Sequence, residues 1–126
     1  LGMQLLLNSS PEFGYTKGLS LINGKVKKIS TNKSIKLPNV NWLNISFPNK
    51  EKNKIISNIS TKDTFYFVHS YVCEIENQKD VVAFSRYFNI KFVSIFKYKN
   101  IIGCQFHPEK SSESGIKFYK NFLRLC

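Results

Sequence analysis

A histidine and a glutamate near the end of the chain have a spacing suited to acid–base chemistry. Residues 103–109 read GCQFHPE, and a residue that precedes proline is held in an extended conformation. Because residues two apart in an extended chain point the same way, we expect Glu109 to reach the imidazole of His107 and fix its tautomer. In the structural alternative, His107 ends a strand and Glu109 caps the closing helix. The position of the pair, at the carboxyl end of a predicted strand, favours catalysis.

None of the three cysteines suits the nucleophile that such a histidine would activate. Cys73 and Cys104 lie in strand-like segments and are expected to be buried structural thiols, and Cys126 is the last residue. The first residues, LGMQLLL, look like the end of a nucleophile elbow, where a reactive side chain on a sharp turn is followed by small residues and a helix. This helical run has no N-cap residue, so we expect further residues before Leu1, with the nucleophile immediately before it.

These two segments resemble motifs of the class I (triad-type) glutamine amidotransferases. Residues 1–4 resemble the second half of the Gly-x-Cys-x-Gly-x-Gln elbow of that family, and residues 105–109 resemble its His-x-Glu motif. Within the class, the sequence is most similar to the glutaminase subunits of imidazole glycerol phosphate synthases. Further matching segments are FVHSY at 67–71, GLSLINGKV at 18–26, and KLP at 36–38 with Trp42. The resemblance runs from Leu1 to Leu125.

The resemblance implies a role for each matching residue. A cysteine before Leu1 would attack the carboxamide of glutamine, His107 would move the proton, and Glu109 would orient the imidazole. The backbone N–H of Leu1 would donate a hydrogen bond in the oxyanion hole. The residues that would hold the substrate glutamine are Gln4, Ser70 and Tyr71. For Gln4 a plain helical role is the alternative, and for His69 a hydrogen-bonded strand histidine and a role at the pocket or interface both stay open.

The same resemblance implies the partners of the protein. They are glutamine as substrate and a cyclase or synthase subunit, bound as a heterodimer, that receives the ammonia in histidine biosynthesis; no cofactor and no metal are implied. One segment departs from the family, because residues 38–43 read PNVNWL where the family has PHMGWN. This departure leaves one alternative open, and the absence of the nucleophilic cysteine from residues 1–126 leaves a second. One is a paralogous subunit that supplies ammonia to a sugar-modifying synthase in surface-polysaccharide biosynthesis, and the other is a non-catalytic amidotransferase-like module that binds a partner.

The elements that must position these residues follow from the hydrophobic pattern. Strands are predicted at 25–29, 42–47, 64–75 and 81–87, and a hairpin at 92–106 with its turn at 99–100. Residues 48–61 are expected to form a surface excursion with one helical turn. Helices are predicted at 1–7 and 112–125, the second with an apolar face of Ile116, Tyr119, Phe122 and Leu123 and with Lys117, Lys120 and Arg124 on the other. With the resemblance, this predicts an α/β fold, a flavodoxin-like open sheet with flanking helices, of which residues 1–126 are the C-terminal portion of a single domain.

Composition and charge exclude several other classes of protein. The chain has 126 residues, 42% of them hydrophobic and 21% charged, which suits one globular domain. Its net charge of +11 comes from scattered lysines, with Arg86 and Arg124 the only arginines, so a solvated surface is favoured and no nucleic-acid partner is expected. No apolar run reaches the roughly 18 to 20 residues of a membrane helix, and no secretory leader is visible. A cytoplasmic location and no contact with a membrane are expected.

Overall fold

Strands are more common than helices in the structure, which is a computed structural model that describes residues 2–32, 34–49 and 53–126. Helices lie near the two ends of this described part: α1 spans Gly2–Leu5 and α2 spans Ser112–Leu125. Within the described ranges the strands are β1 (Ser9–Ser10), β2 (Thr16–Lys17), β3 (Gly24–Lys28), β4 (Asn39–Asn44), β5 (Thr64–His69), β6 (Tyr71–Ile75), β7 (Val81–Tyr87), β8 (Ile90–Tyr98) and β9 (Ile101–Cys104). Single 3-10 turns are Lys54–Ile56, Gln78–Asp80 and Pro108–Lys110.

The strands pair in small mixed sheets. One sheet has the order β2-β1-β3-β6, in which β1 runs parallel to β3 and β3 runs antiparallel to β6. β4 pairs antiparallel with β5, from Asn39 opposite His69 to Asn44 opposite Thr64. β7, β8 and β9 form an antiparallel meander that contains the predicted hairpin. These mixed sheets with flanking helices confirm the α/β class.

The strand predicted at 64–75 is two strands, and the break between them builds the site. β5 ends at His69 and pairs with β4, whereas β6 begins at Tyr71 and pairs with β3. Ser70 lies at the crossover, where its carbonyl accepts a hydrogen bond from the N–H of Ile29 at 2.9 Å. Side-chain pattern could not show the break, because both strands are rich in aromatic and β-branched residues and only the pairing partner changes.

An aromatic core supports the end of β5. The ring centroids of Phe65 and Phe106 lie 4.2 Å apart, and Phe106 contacts Phe118 of α2 at 5.2 Å. Phe67 contacts Phe92 edge-on at 5.5 Å. Rings in tilted and edge-to-face arrangements pack at these distances with favourable quadrupole contacts. The core therefore joins β5, β8, α2 and the segment that leads into residue 107.

Part of the segment predicted as a surface excursion is buried in that core. Its helical turn is confirmed at Lys54–Ile56, and residues 50–52 lie outside the described ones. Ile55, Ile56 and Ile59 are fully buried in the aromatic core. The prediction of a surface segment was wrong here because the many Asn, Lys and Ser residues of the segment made it appear polar, although its three isoleucines are buried.

The boundaries of α2 are confirmed, but the face predicted to be buried is wrong. Ile116 and Leu123 are 55% and 69% exposed, and Tyr119 and Phe122 are also exposed. The residues that face the body are Ser114, Gly115, Phe118 and Asn121. Polar side chains take that side because they find partners there: the Asn121 amide donates to the carbonyls of Ile55 and Ser57 at 2.9 and 2.6 Å. In the described part of the chain, no helix combines the length and the apolar character that crossing a membrane needs.

The fourth strand starts earlier than its prediction. β4 spans Asn39–Asn44 and not 42–47, because Asn39 pairs with His69 and is fully buried. An asparagine at a buried strand position is uncommon and needs a polar partner. That partner lies in the site described next.

Candidate active site

A cleft of about 910 Å³ lies between α1, residues 9–18, the β5–β6 junction and the end of β9. It brings together five residues that the sequence pointed to, which are Gln4, His69, Ser70, Tyr71 and His107. Glu109 does not line the cleft but contacts His107 beside it. Leu1, the expected oxyanion-hole residue, lies outside the described residues.

The predicted histidine–carboxylate pair forms. The Nδ1 of His107 lies 2.8 Å from Oε1 of Glu109, so the carboxylate accepts the Nδ1 proton. Hydrogen bonds from the backbone N–H of Glu109 and from His107 outweigh the effect of partial burial and hold the pKa of Glu109 below its usual range. Nε2 of His107 has no hydrogen-bond partner in the described part of the chain. The imidazole therefore keeps Nε2 free to accept a proton, as a general base requires.

The turn that carries His107 is fastened to the free edge of β5. The N–H of His107 donates to the carbonyl of Tyr66 at 2.9 Å. The Ser111 hydroxyl donates to the carbonyl of His107 at 2.6 Å and accepts the N–H of Tyr66 at 3.0 Å. Gly115 adds to this because a side chain at its position would overlap the carbonyl of Pro108. The turn thus takes the place of a neighbouring strand and holds the imidazole in one position.

Gln4 faces the cleft from a helix whose end is capped by a loop. Its Nε2 donates to the carbonyl of Tyr71 at 3.1 Å, which leaves one N–H and Oε1 for a ligand. The N–H of Leu19 donates to the carbonyl of Leu5 at 2.8 Å, satisfying a free carbonyl at the end of α1. Gly18 precedes it, where any side chain would overlap the Leu7 carbonyl. The segment that matched the family at 18–26 therefore fixes the helix that presents Gln4.

His69 is buried, and both of its ring nitrogens are hydrogen-bonded. Nδ1 lies 3.0 Å from the carbonyl of Tyr71, and Nε2 lies 3.0 Å from the side-chain amide of Asn39. Burial is the main cause that lowers the pKa of His69 from 6.5 to about 4. The ring is neutral at pH 7 and both nitrogens are used, as expected for a hydrogen-bonded strand histidine, and its position in the lining of the cleft also keeps the pocket interpretation open.

Two charged residues of the cleft were missed from the sequence. Glu12 is the only carboxylate among the described residues that line the cleft, and Lys17 lines the same side. Residues 8–11, NSSP, have the composition of a turn, and the carboxylate directly after them was the available signal. A third residue, Gln105, has a buried Oε1 without a partner. A carboxylate and an ammonium in one cleft suit an amino-acid zwitterion.

Cys73 is buried as expected, whereas Cys104 is half-buried and lines the cleft, but neither thiol suits a nucleophile. Burial raises the pKa of both Cys73 and Cys104 to about 12. Cys126 is exposed beyond the last turn of α2. A thiol acts through its thiolate, and such pKa values leave almost none at pH 7. Across the described ranges, no three His, Cys, Asp or Glu side chains gather in a way that could hold a metal ion.

Comparison with known proteins matches this sequence to one protein-family model along its whole length. The model described as "Glutamine amidotransferase class-I" matches residues 1–126. The chain is 41% identical over 125 residues to "Imidazole glycerol phosphate synthase subunit HisH" of Chlorobium chlorochromatii, covering 99% of this chain and 61% of that protein. It is 42% identical over 124 residues to subunit HisH 2 of Methanococcus maripaludis, covering 98% and 59%. The HisH subunit of Pyrococcus furiosus is 38% identical over 125 residues. The chain thus spans about three fifths of the length of these relatives.

Proposed function

The chain belongs to the class I glutamine amidotransferase family, and we propose that it carries the base and the glutamine pocket of a glutaminase subunit of imidazole glycerol phosphate synthase. The observation that carries the proposal is the His107–Glu109 hydrogen bond of 2.8 Å beside a cleft that also holds Gln4. The relatives named as subunits of that synthase support the choice of function.

The proposed reaction is the hydrolysis of glutamine to glutamate and ammonia. Nε2 of His107 takes the proton of a cysteine thiol, expected next to Leu1, and the resulting thiolate attacks the carboxamide carbon to form a tetrahedral oxyanion. As the C–N bond breaks, Nε2 of His107 delivers the proton that the departing ammonia needs. Water then attacks the thioester with Nε2 as base, releasing glutamate and restoring the thiolate. Throughout, the Glu109 carboxylate accepts a hydrogen bond from the Nδ1–H of His107 and stabilises the imidazolium when it forms.

The proposed pocket uses the remaining hydrogen-bonding capacity of the cleft. Gln4 offers Oε1 and one N–H, and Ser70 and Tyr71 line the cleft beside it. Glu12 can pair with the α-ammonium of glutamine and Lys17 can pair with its carboxylate. This set requires both charges of an amino acid, so it selects against amides that lack them.

An apolar surface beside the cleft is the proposed docking site for the synthase partner that receives the ammonia. It consists of Val40, Trp42, Tyr66 and Val68, which share the outer face of β4 and β5, and we call it the β4–β5 outer face. Val40 and Trp42 are 49% and 51% exposed, and Val68 also lines the cleft. Large aromatic side chains dominate binding energy at protein interfaces. Ammonia released at His107 would therefore leave next to the bound partner.

We further propose that residues 1–126 are the C-terminal portion of a single amidotransferase domain. The coverage of the relatives and the exposed apolar residues of α2, among them Ile116 and Leu123, support this arrangement. A cytoplasmic location belongs to the same proposal, because none of the three cysteines forms a disulfide.

The test is glutamate release by the full-length gene product, with and without its synthase partner. We expect hydrolysis that rises when the partner is added. His107→Asn and Glu109→Gln are each expected to lower kcat by about 10²- to 10⁴-fold, the usual contribution of a positioned acid–base group. Glu113→Gln, an exposed carboxylate in the first turn of α2, is the matched control and should change kcat by less than about twofold. Normal turnover by either of the first two variants contradicts the proposed mechanism.

A further inference from the structure

We infer that His69 is a positioning residue for glutamine binding, acting through the Tyr71 carbonyl that it shares with Gln4. The inference rests on the proposed function. Two donors converge on this carbonyl: Nδ1 of His69 at 3.0 Å and Nε2 of Gln4 at 3.1 Å. Gln4 contacts the substrate in the proposed pocket, whereas both ring nitrogens of His69 are already hydrogen-bonded to protein groups, so its effect on binding passes through the Tyr71 peptide.

The hydrogen bonds determine the tautomer of His69. A carbonyl can only accept, so Nδ1 must carry the proton that it gives to Tyr71. Nε2 is then unprotonated and accepts from the side-chain amide of Asn39 at 3.0 Å. The carbonyl oxygen of that amide accepts in turn from Asn41 at 2.8 Å, which fixes the orientation of the Asn39 side chain. The depressed pKa of His69 agrees with a ring that stays neutral.

Packing holds the imidazole where these bonds need it. Its ring lies edge-on to Phe92 at 4.8 Å and tilted against Phe67 at 5.8 Å. His69 is 7% exposed and Asn39 is fully buried. A buried polar group without a partner is costly, so the chain from Asn41 to the Tyr71 carbonyl is stable only when every bond is made.

The consequence for the pocket is a fixed Gln4 carboxamide. If the Tyr71 peptide turned, the Nε2 donor of Gln4 would follow it or lose its acceptor. With His69 in place, the second N–H and Oε1 of Gln4 keep one direction in the cleft. Preorganised groups bind a ligand without an ordering cost at the moment of binding. The effect therefore belongs to the KM for glutamine rather than to kcat, which depends on His107.

Two substitutions at His69 separate this role from a structural one. The side-chain nitrogen of Asn takes the position of Nδ1, so His69→Asn keeps the donor to Tyr71 and loses the acceptor for Asn39. The side chain of Gln is long enough to place its Oε1 at the position of Nε2, so His69→Gln keeps the acceptor for Asn39 and loses the donor to Tyr71. Both variants lose the ring and one hydrogen bond, so they form a matched pair, and unfolding in urea of each full-length variant checks that the losses of stability are similar.

The measurement is the KM and kcat of partner-stimulated glutamine hydrolysis by the full-length protein. We expect His69→Gln to raise KM about 2- to 10-fold, the value of one hydrogen bond, while His69→Asn stays within about twofold of the wild type. The kcat of both should change by less than about threefold. Equal KM values for the two variants, or a loss in kcat alone, overturn the inference while the wild-type activity upholds the proposed function. A wild type without hydrolysis overturns both.

A second measurement needs no substitution. Nitrogen-15 NMR of the His69 ring in the full-length protein reports which nitrogen carries the proton. We expect a protonated Nδ1 and an unprotonated Nε2 at pH 7. The opposite tautomer overturns the inference even if the variants fail to fold.

Discussion

The clearest prediction for the stability of the site concerns Ser111, because its one hydroxyl group forms hydrogen bonds with two backbone groups. It is 1% exposed and lies between β5 and the turn of His107. Its O–H donates to the His107 carbonyl at 2.6 Å, and its oxygen accepts the N–H of Tyr66 at 3.0 Å. Ser111→Ala removes both bonds and leaves a strand N–H without an acceptor in a site closed to water.

The magnitude follows from these two losses. The donated hydrogen bond contributes about 1 kcal/mol, and a stranded buried N–H costs about 1–3 kcal/mol, so the free energy of unfolding should fall by about 2–4 kcal/mol. The His107 N–H still donates to Tyr66 at 2.9 Å, so the turn loosens rather than detaches. A base displaced by even part of an ångström loses its near-attack geometry, and we expect kcat for glutamine hydrolysis to fall at least about tenfold.

The assay is urea unfolding followed by circular dichroism, together with kcat, for the full-length protein. Ser30→Ala is the matched control, because Ser30 is exposed and such changes usually stay within about 0.5 kcal/mol. If Ser111→Ala loses no more stability than Ser30→Ala, the hydroxyl does not fasten the turn, and the positioning argument for His107 fails.

Further predictions concern the contacts between α2 and the body. Burial alone would raise the pKa of Asp63, but hydrogen bonds from Lys117, the Ser60 N–H and Ser114 outweigh it and hold that pKa below its usual value of 3.8. The resulting stability is complete above about pH 4 and is lost as pH falls through the lower folded value, so Asp63→Asn should flatten the acid side of stability in urea unfolding between pH 6 and 3. Asn121→Ala removes both donors to the carbonyls of Ile55 and Ser57, and we expect about 2–4 kcal/mol lower stability in the same assay, with exposed Lys120→Ala as control.

The sequence was sufficient to predict features that depend on residues close together along the chain. The contact of His107 with Glu109 follows from an extended chain with a spacing of two, and the hairpin and the ends of α2 follow from period and turn residues. The resemblance added Gln4, Ser70 and Tyr71, and all three line the cleft with His107. The roles proposed for them await the kinetic tests.

The sequence was insufficient where a feature depends on which surface packs against which. Helical spacing identified an apolar face on α2 but not that Asn121 and Ser114 would face the body, since their partners come from segments over 50 residues away. In the same way, no local pattern shows that Asn39 bonds His69, because the two meet only when β4 pairs with β5. Hydrogen bonds between distant segments depend on the tertiary fold, which composition and the period of the hydrophobic pattern do not specify.

The departure of residues 38–43 from the family motif is clearer once β4 is seen as a strand. Alternate residues face opposite sides: Asn39 and Asn41 point toward His69, whereas Val40 and Trp42 lie on the β4–β5 outer face. At the outer positions the family has Met and Trp, so this chain keeps an apolar side chain at one and the same residue at the other. The changes from His to Asn39 and from Gly to Asn41 fall on the inward side.

Under the proposed function, the departure therefore bears on the glutamine pocket more than on the docking of the proposed synthase partner. Trp42→Ser should weaken binding of the synthase subunit and leave unstimulated KM for glutamine unchanged, because its half-exposed ring lies on the outer face, with its centroid 5.7 Å from that of Tyr66. Asn39→Ala should raise that KM and leave partner affinity unchanged, because the Asn39 amide keeps Nε2 of His69 unprotonated. Without it the imidazole can take the other tautomer, which has no donor for the Tyr71 carbonyl, a change that the amide of His69→Asn cannot undergo. Titration calorimetry with the partner and kinetics without it measure the two quantities separately. If Asn39→Ala weakens the partner as much as Trp42→Ser does, the two faces of β4 do not act independently.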